Sequence, residues 1–341
     1  MASPALAPEA TPMFSDRILA RLKAPGGADD TDLELVEGGL RCPQTGVLYP
    51  YFEGIPTLFE PVEGQGEDVT TRVRSFYEKN PFPSYEGLEE FGELVGKGRE
   101  NPFSAHLLKA VGYNKTVLEC GCGTGQLTQY LQLNNNYVLG IDMCLASLRL
   151  GLEHKLRNSL LRSSFAQMNV FDLAVKDDSF DVVISHGVLH HTFDARRAFG
   201  HIVRKAKPGG IVMVGLYNRY ARWMTWLRSR LIRFAGPRID YVVRNRIRDA
   251  RKAEIWIQDQ YFNPHETWHS IGEVLGWFEE NGVEFVNCSP AILGTDGEDA
   301  GDLFAPTRPG SAYQRFVTQL SWLGTIAREG SLFDLIGRRR G

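Results

Sequence analysis

Short apolar runs bounded by turn residues recur through the middle of the chain, at Thr116 to Glu119, Tyr137 to Ile141, Phe165 to Val170, Phe180 to Ile184 and Gly210 to Tyr217. Runs of that length with few polar interruptions mark strands buried on both faces, as in a parallel sheet. Helical periodicity fills the gaps. The alternation predicts an α/β fold of βαβ units in a doubly wound sheet, whose ligands bind at the carboxyl ends of the strands. Val283 to Cys288 and Ser331 to Ile336 predict two more strands, with a helix from Ala312 to Arg328 between them.

Residues 1–15, rich in Ala and Pro, predict a disordered tail, and the Gly- and Glu-rich stretch 60–68 predicts a linker. Between them, over 16–59, a short amphipathic helix (Phe14 to Lys23) leads into strand-like LELVEGGLRC and GVLYPYFEGIP, the pattern of a small β-rich module. Residues 69–109 read as lid helices, 110–218 as the ligand-binding core, 219–270 as a helical insertion before the last two strands, and 271–341 as the remainder of the core. In the insertion Tyr220, Trp223, Met224, Leu227, Leu231 and Phe234 share one helical face, and Arg219, Arg222, Arg230 and Arg233 the other. The apolar face is expected to pack on the sheet and most of the arginines to be solvated. A membrane-facing or RNA-tracking surface is the alternative.

Composition narrows this picture. With 341 residues, 43% of them hydrophobic, the chain can bury a sizeable core, which rules out wholesale disorder. Lys and Arg total 38 against 41 Asp and Glu, and a net charge of -3 argues against a surface built throughout for nucleic acid. No apolar run nears the roughly 20 residues of a membrane span, and the first residues lack the basic-then-apolar order of a secretory signal, so a cytoplasmic protein without stable membrane insertion is expected. Five scattered cysteines without a CxxC pair predict neither a disulfide framework nor a metal site.

Candidate chemistry begins at TVLECGCGTGQL, residues 116–127, where a strand runs into Gly121, Gly123 and Gly125 and then a helix. Glycines there allow a tight turn and a close approach of backbone to ligand, while the helix start offers free N–H groups. GxGxG directly after the acidic Glu119 differs from the GxGxxG of dinucleotide enzymes, and the phosphate loop ending in Gly-Lys-Ser/Thr is absent. The next strand ends in GID, placing Asp142 where a carboxylate can accept ribose hydroxyls. QMNVFDL carries Asn169 and Val170 to the end of the third strand; SHGVLHHTFD carries Ser185, His186, Gly187, His190 and His191 off the fourth; KPGG, residues 207–210, precedes the fifth, which ends in Tyr217 and Asn218. WIQDQYFNPHETWHS brings Asp259, Tyr261, His265 and His269 close together, without a third metal ligand for the histidines.

As an ordered set over residues 110–218, these motifs resemble class I S-adenosylmethionine-dependent methyltransferases. The resemblance implies that Glu119, Gly121, Gly123 and Gly125 hold the methionine and ribose portion of S-adenosylmethionine, that Asp142 binds the ribose, that Asn169 and Val170 meet the adenine edge, and that Ser185, His186 and Gly187 border the sulfonium. Many relatives have Asp where Asn169 stands, so the adenine contact here lacks charge assistance. FYEKNPFPSYE, residues 76–86, resembles a lid segment of a bacterial branch, with Tyr77 and Phe82 as contacts. The N-terminal module resembles short zinc-ribbon proteins that accompany methyltransferases: Tyr49, Pro50, Gly54, Ile55 and Pro56 keep the closing motif. Ala24, Pro25, Gly26 and Gly27 replace the first Cys pair, and Thr45 stands three residues after Cys42, which implies a metal-free relic.

The reading that follows is a methyltransferase acting on a small molecule, with His190 and Tyr217 as catalytic candidates and His191, Asn218, Asp259 and His265 as acceptor contacts. RNA, protein or a membrane-associated lipid or quinone is the alternative acceptor. Ser185-His186-Gly187-Val188 stands where enzymes of base amines usually have Asp/Asn-Pro-Pro-Tyr/Phe, so nucleic acid is not expected as a partner. A non-catalytic cofactor-binding scaffold is disfavoured by the intact glycine turn and Asp142. The acceptor atom and the oligomeric state stay open.

Overall fold

The computed structural model describes residues 13–59, 67–295 and 302–341. Most of the expected tail and linker, and the Arg233 side chain, lie outside the described residues.

The N-terminal strands β1 (Glu34–Val36), β2 (Gly39–Arg41), β3 (Leu48–Phe52) and β4 (Ile55–Leu58) form an antiparallel meander. Those of the core are β5 (Thr116–Cys120), β6 (Tyr137–Asp142), β7 (Ser163–Met168), β8 (Phe180–His186), β9 (Ala206–Tyr217), β10 (Val283–Ser289) and β11 (Leu332–Arg339). Their order is β1-β2-β3-β4-β7-β6-β5-β8-β9-β11-β10, with β7, β6, β5, β8 and β9 parallel and β11 antiparallel to both its neighbours. The winding reverses between β5 and β8, which opens a crevice at their carboxyl ends. β5 and β7 are buried along their whole length. β7 starts two residues before the predicted run because Ser163 and Ser164 already pair with Val138 and Leu139, so backbone pairing rather than apolarity sets its start.

The N-terminal module continues this sheet: β4 pairs in parallel with β7, Thr57 beside Gln167 and Leu58 beside Met168. Phe14, Ile18, Leu22, Leu40 and Cys42 share one apolar cluster with Leu118, Leu139 and Phe180. Phe14 is therefore core rather than tail. The first helix, α1 (Asp16–Leu19), is shorter than its amphipathic pattern because Leu22 and Lys23 leave it to bridge Val175 and Asp32.

Helices α2 (Glu67–Lys79), α3 (Phe91–Glu100) and α4 (Pro102–Val111) precede the core. α5 (Gln126–Leu131), α6 (Leu145–Arg157) and α7 (Ala195–Val203) connect its strands, and α8 (Arg219–Ala235), α9 (Tyr241–Asn245) and α10 (Ala250–Phe262) build the insertion. α11 (Ile271–Glu280) precedes β10; α12 (Ala312–Ser321) ends earlier than predicted, followed by a separate turn of 3-10 helix at Ile326–Arg328.

α8 corrects the sequence reading. Its buried stripe is Ala221, Arg222, Thr225 and Ile232, while Trp223, Met224, Leu227, Leu231 and Phe234 face water. The deciding feature is Arg222, 1% exposed, whose guanidinium donates to Glu266 Oε1 (3.1 Å) and Oε2 (2.5 Å), Gln260 Oε1 (2.9 Å) and backbone O (2.8 Å), and Gly330 O (3.1 Å). Those bonds offset the desolvation of one cation and fix which face turns inward. Among the described residues no helix is long and apolar enough to cross a membrane.

Candidate active site

Strand β5 ends at Cys120 and turns through Gly121 to Gly125 into α5, with the Gly121 and Cys122 amides donating to Ile141 O at 2.8 and 2.9 Å. Gly123 has a φ of +55°, and a Cβ there would stand 2.3 Å from Phe82 O, so the turn accepts only glycine. Gly125, at φ +76°, starts α5; its missing Cβ makes room for the Phe165 ring behind the turn, and it does not reach the cavity. Asp142, at the tip of β6, accepts from the Gly123 amide (Oδ2, 2.9 Å) and the Cys144 amide (Oδ1, 2.8 Å). Each carboxylate oxygen keeps a second lone pair for a ligand hydroxyl.

Glu119, on β5 just before the glycine turn, is buried and accepts from Thr128 Oγ1; burial pushes its carboxyl up to about 7 against that hydrogen bond. His186 stacks on Phe103 with ring centroids 4.3 Å apart and its Nδ1 lies 2.7 Å from Asp334 Oδ1. Burial opposes its charged form, but Asp334 outweighs burial and raises the ring's pKa. Asn169 accepts from the Phe171 amide at 3.0 Å, and Asn169, Val170 and Gly187 line the same cavity. Ser185 does not: its hydroxyl donates to Cys120 O at 3.1 Å inside the sheet.

Residues 82–85 pack against the glycine turn. The Thr124 amide donates to Phe82 O (3.2 Å), Thr124 Oγ1 to Pro83 O (2.7 Å), Gln126 Nε2 to Ser84 O (2.8 Å) and Tyr85 OH to Thr124 O (3.0 Å). Tyr77, on α2, donates to Asp259 Oδ1 at 2.8 Å and accepts from Asn263 Nδ2 at 2.9 Å. Gln260 Nε2 donates to Asp259 Oδ2 and to Tyr217 OH, both at 3.0 Å. Burial holds the Tyr217 phenol well above its ordinary pKa. Its hydroxyl therefore stays protonated, and its hydrogen is free to serve a ligand.

The histidines divide sharply. His191 lines the cavity, and its Nδ1 donates to His265 O at 2.8 Å, which leaves Nε2 as the ring's acceptor. Burial lowers its pKa, so the ring is neutral near pH 7. His190 is fully buried, stacked on Tyr217 at 3.8 Å between centroids, with no hydrogen-bond partner for either nitrogen among the described residues. It sits behind the Tyr217 ring and cannot exchange a proton with a ligand. His265 meets Thr192 O through Nε2 (3.1 Å), and Asn218 caps α8, accepting from the Tyr220 and Ala221 amides (both 3.1 Å) and donating to Gln319 (3.0 Å); both are scaffold residues.

Glu119, Gly121, Gly123, Asp142, Asn169, Val170, His186, Gly187, His191, Tyr217 and Asp259 thus meet around one cavity of about 560 Å³, while Gly125, Ser185, His190, Asn218 and His265 stand outside it. Sequence reasoning missed Gln260, which joins Asp259 to Tyr217, and Arg222, whose guanidinium lies 3.7 Å from the Tyr217 ring centre. The signal was the run Asp259-Gln260 on α10: two adjacent polar residues on a helix that also had to bury Ile257.

Residues 118–214, from β5 to β9, match the model of the methyltransferase domain family. An uncharacterized protein of Synechococcus sp. is 28% identical over 256 residues, 65% of this chain and 61% of its own length, so this chain spans less than two thirds of that relative. The ubiquinone biosynthesis O-methyltransferase of Cronobacter sakazakii is 27% identical over 197 residues, 57% of this chain and 72% of its own. Among solved structures, an S-adenosylmethionine-dependent methyltransferase from Mesorhizobium loti superposes with a TM-score of 0.45 at 16% identity, covering 72% of this chain and all of that one (100%).

Proposed function

From a methyltransferase domain over residues 118–214, whose cofactor is S-adenosylmethionine, we propose that this chain methylates a small molecule through a proton-bearing acceptor atom, held between Tyr77, His191, Tyr217 and Asp259. The residues fit the cofactor. Gly121 and Gly123 line the cavity beside Asp142, the Asp142 carboxylate offers acceptors for two hydroxyls, and a Cβ at Gly187 would meet nothing nearer than Leu332 Cδ2, at 4.0 Å. S-adenosylmethionine supplies a methyl group on a sulfonium, open to in-line displacement.

One observation carries the reading: a single cavity of about 560 Å³ runs from the glycine turn to His191, Tyr217 and Asp259. That is the scale of a pocket for small ligands, and the cofactor fills part of it. The chain's work is then positioning, exclusion of water and removal of one proton. His191, neutral and with Nε2 unprotonated, is the base; Tyr217, a protonated phenol, donates to the acceptor; Asp259 and Tyr77 fix its far side. His191 takes over the role that the sequence reading gave His190.

The test is transfer of label from methyl-labelled S-adenosylmethionine to three separated fractions of a bacterial lysate: small molecules, RNA and protein. Label should enter the small-molecule fraction and should stop doing so with His191→Gln. Label confined to RNA or protein would overturn the small-molecule reading.

A further inference from the structure

The outward face of α8 has no partner among the described residues. Phe234 is 90% exposed, Trp223 54% and Leu231 47%, with Leu227 and Trp226 also exposed. Their spacing of three to four residues puts them on one side of the helix. Tyr220 meets Phe316 edge-on at 5.8 Å, and through that contact the face continues onto the exposed Tyr313, Phe316 and Leu320 of α12. A contiguous apolar surface of this kind marks an interaction site rather than scattered surface residues.

Its charge setting is as marked. Residues 219–252 hold ten arginines and one lysine against two aspartates, in a chain whose net charge is -3. Arg230 lies over the Trp226 ring at 5.1 Å, and Arg230, Arg238, Arg244, Arg248 and Arg251 are exposed without an ion pair among the described residues.

We propose that the α8–α12 face docks this protein on an anionic lipid bilayer, with Trp223, Leu227, Leu231 and Phe234 in the headgroup and acyl boundary and the arginines on the lipid phosphates. Large apolar side chains on one side of a helix, with cations beside them and no span long enough to cross, are the elements of an interfacial helix. A second copy of the chain is a poorer occupant, because a two-fold contact would press this strongly basic segment against itself. RNA would satisfy the arginines but leave Leu227, Leu231 and Phe234 in water. The proposal rests on the surface alone and does not depend on the methyl acceptor.

The experiment is co-sedimentation of the full chain with vesicles of phosphatidylcholine alone and of phosphatidylcholine with phosphatidylglycerol, at about 0.15 M salt where the Debye length is near 8 Å. Tryptophan emission is recorded in parallel. The anionic vesicles should bind the protein roughly tenfold or more tighter than the neutral ones, with a blue shift as Trp223 leaves water. Leu231→Glu with Phe234→Glu, both at exposed positions, should abolish binding and the shift, while binding of S-adenosylhomocysteine, which reports the intact fold, stays as in the parent. Three outcomes overturn the proposal: no binding to anionic vesicles, equal binding by the double variant, or a concentration-dependent dimer in sedimentation that the double variant dissolves. A gel shift with RNA, lost on Arg230→Glu, without vesicle binding, would assign the face to nucleic acid instead.

Discussion

Replacing Glu119 with Gln should stabilise the protein in the absence of cofactor, increasingly so as the pH rises. The Glu119 carboxyl is buried beside Thr128 and ionises near about 7 instead of the ordinary 4.5. Between those two values the folded state keeps a proton that the unfolded chain has released, so stability falls as pH rises through this window and the loss is complete above pH 7. At 1.36 kcal/mol per pKa unit, the full loss is about 3 kcal/mol. Glutamine keeps an oxygen for the Thr128 hydroxyl and carries no charge to desolvate. Urea unfolding of both proteins at pH 5 and pH 8 measures the effect: similar midpoints at pH 5, and a variant more stable by about 2 to 3 kcal/mol at pH 8. The variant should also bind S-adenosylmethionine more weakly, because the ionised carboxylate that destabilises the empty fold is what a cationic ligand gains from. A variant less stable than the parent at pH 8, or a difference that does not grow with pH, would refute the assignment of a buried, strained carboxyl at this site.

Arg222→Leu removes the guanidinium that joins Glu266, Gln260 and Gly330, and breaking a buried pair costs about 3 to 5 kcal/mol. Because the Glu266 side chain is 23% exposed, the lower end applies; a loss of under about 1 kcal/mol in urea unfolding would contradict the network's role. His191→Gln should lower kcat by roughly 10²- to 10⁴-fold and leave affinity for S-adenosylhomocysteine unchanged, as expected of a proton acceptor. In the parent, activity should decline only below about pH 6.5, the ordinary histidine pKa, since burial lowers that of His191; an acid limb that persists in the variant would assign the titration to another group.

The parallel core was legible because most of its strands carry a short apolar run with few polar interruptions, as strands buried on both faces do; β7, SSFAQM, carries the least of one, and its start was missed. Most of the glycine-turn side of the cavity was legible for a related reason: a glycine turn and a strand-tip carboxylate are local features, set within a few residues of sequence, although Gly125 and Ser185 fall outside the cavity. The acceptor side depends on long-range pairs, Tyr77 with Asp259 and Arg222 with Glu266, which no local pattern reveals. His190 and His191 are adjacent in sequence and equivalent in composition, yet stacking on Tyr217 buries one and leaves the other on the cavity wall. The inversion of α8 has the same origin. Apolar periodicity marked its larger stripe as the buried one, whereas the fold buries Arg222, because Glu266 and Gln260 come from a helix and loop some forty residues on.

The central claim, that the cavity at the β5–β8 switch holds S-adenosylmethionine with Asp142 on its ribose, is tested most directly by titration calorimetry with S-adenosylhomocysteine. The parent should bind one equivalent. Asp142→Ala, provided it still unfolds cooperatively, should bind roughly 10- to 150-fold more weakly, the loss of one charged hydrogen-bond acceptor at about 1.5 to 3 kcal/mol. Absence of binding by the parent, or an unchanged affinity in Asp142→Ala, would contradict the account.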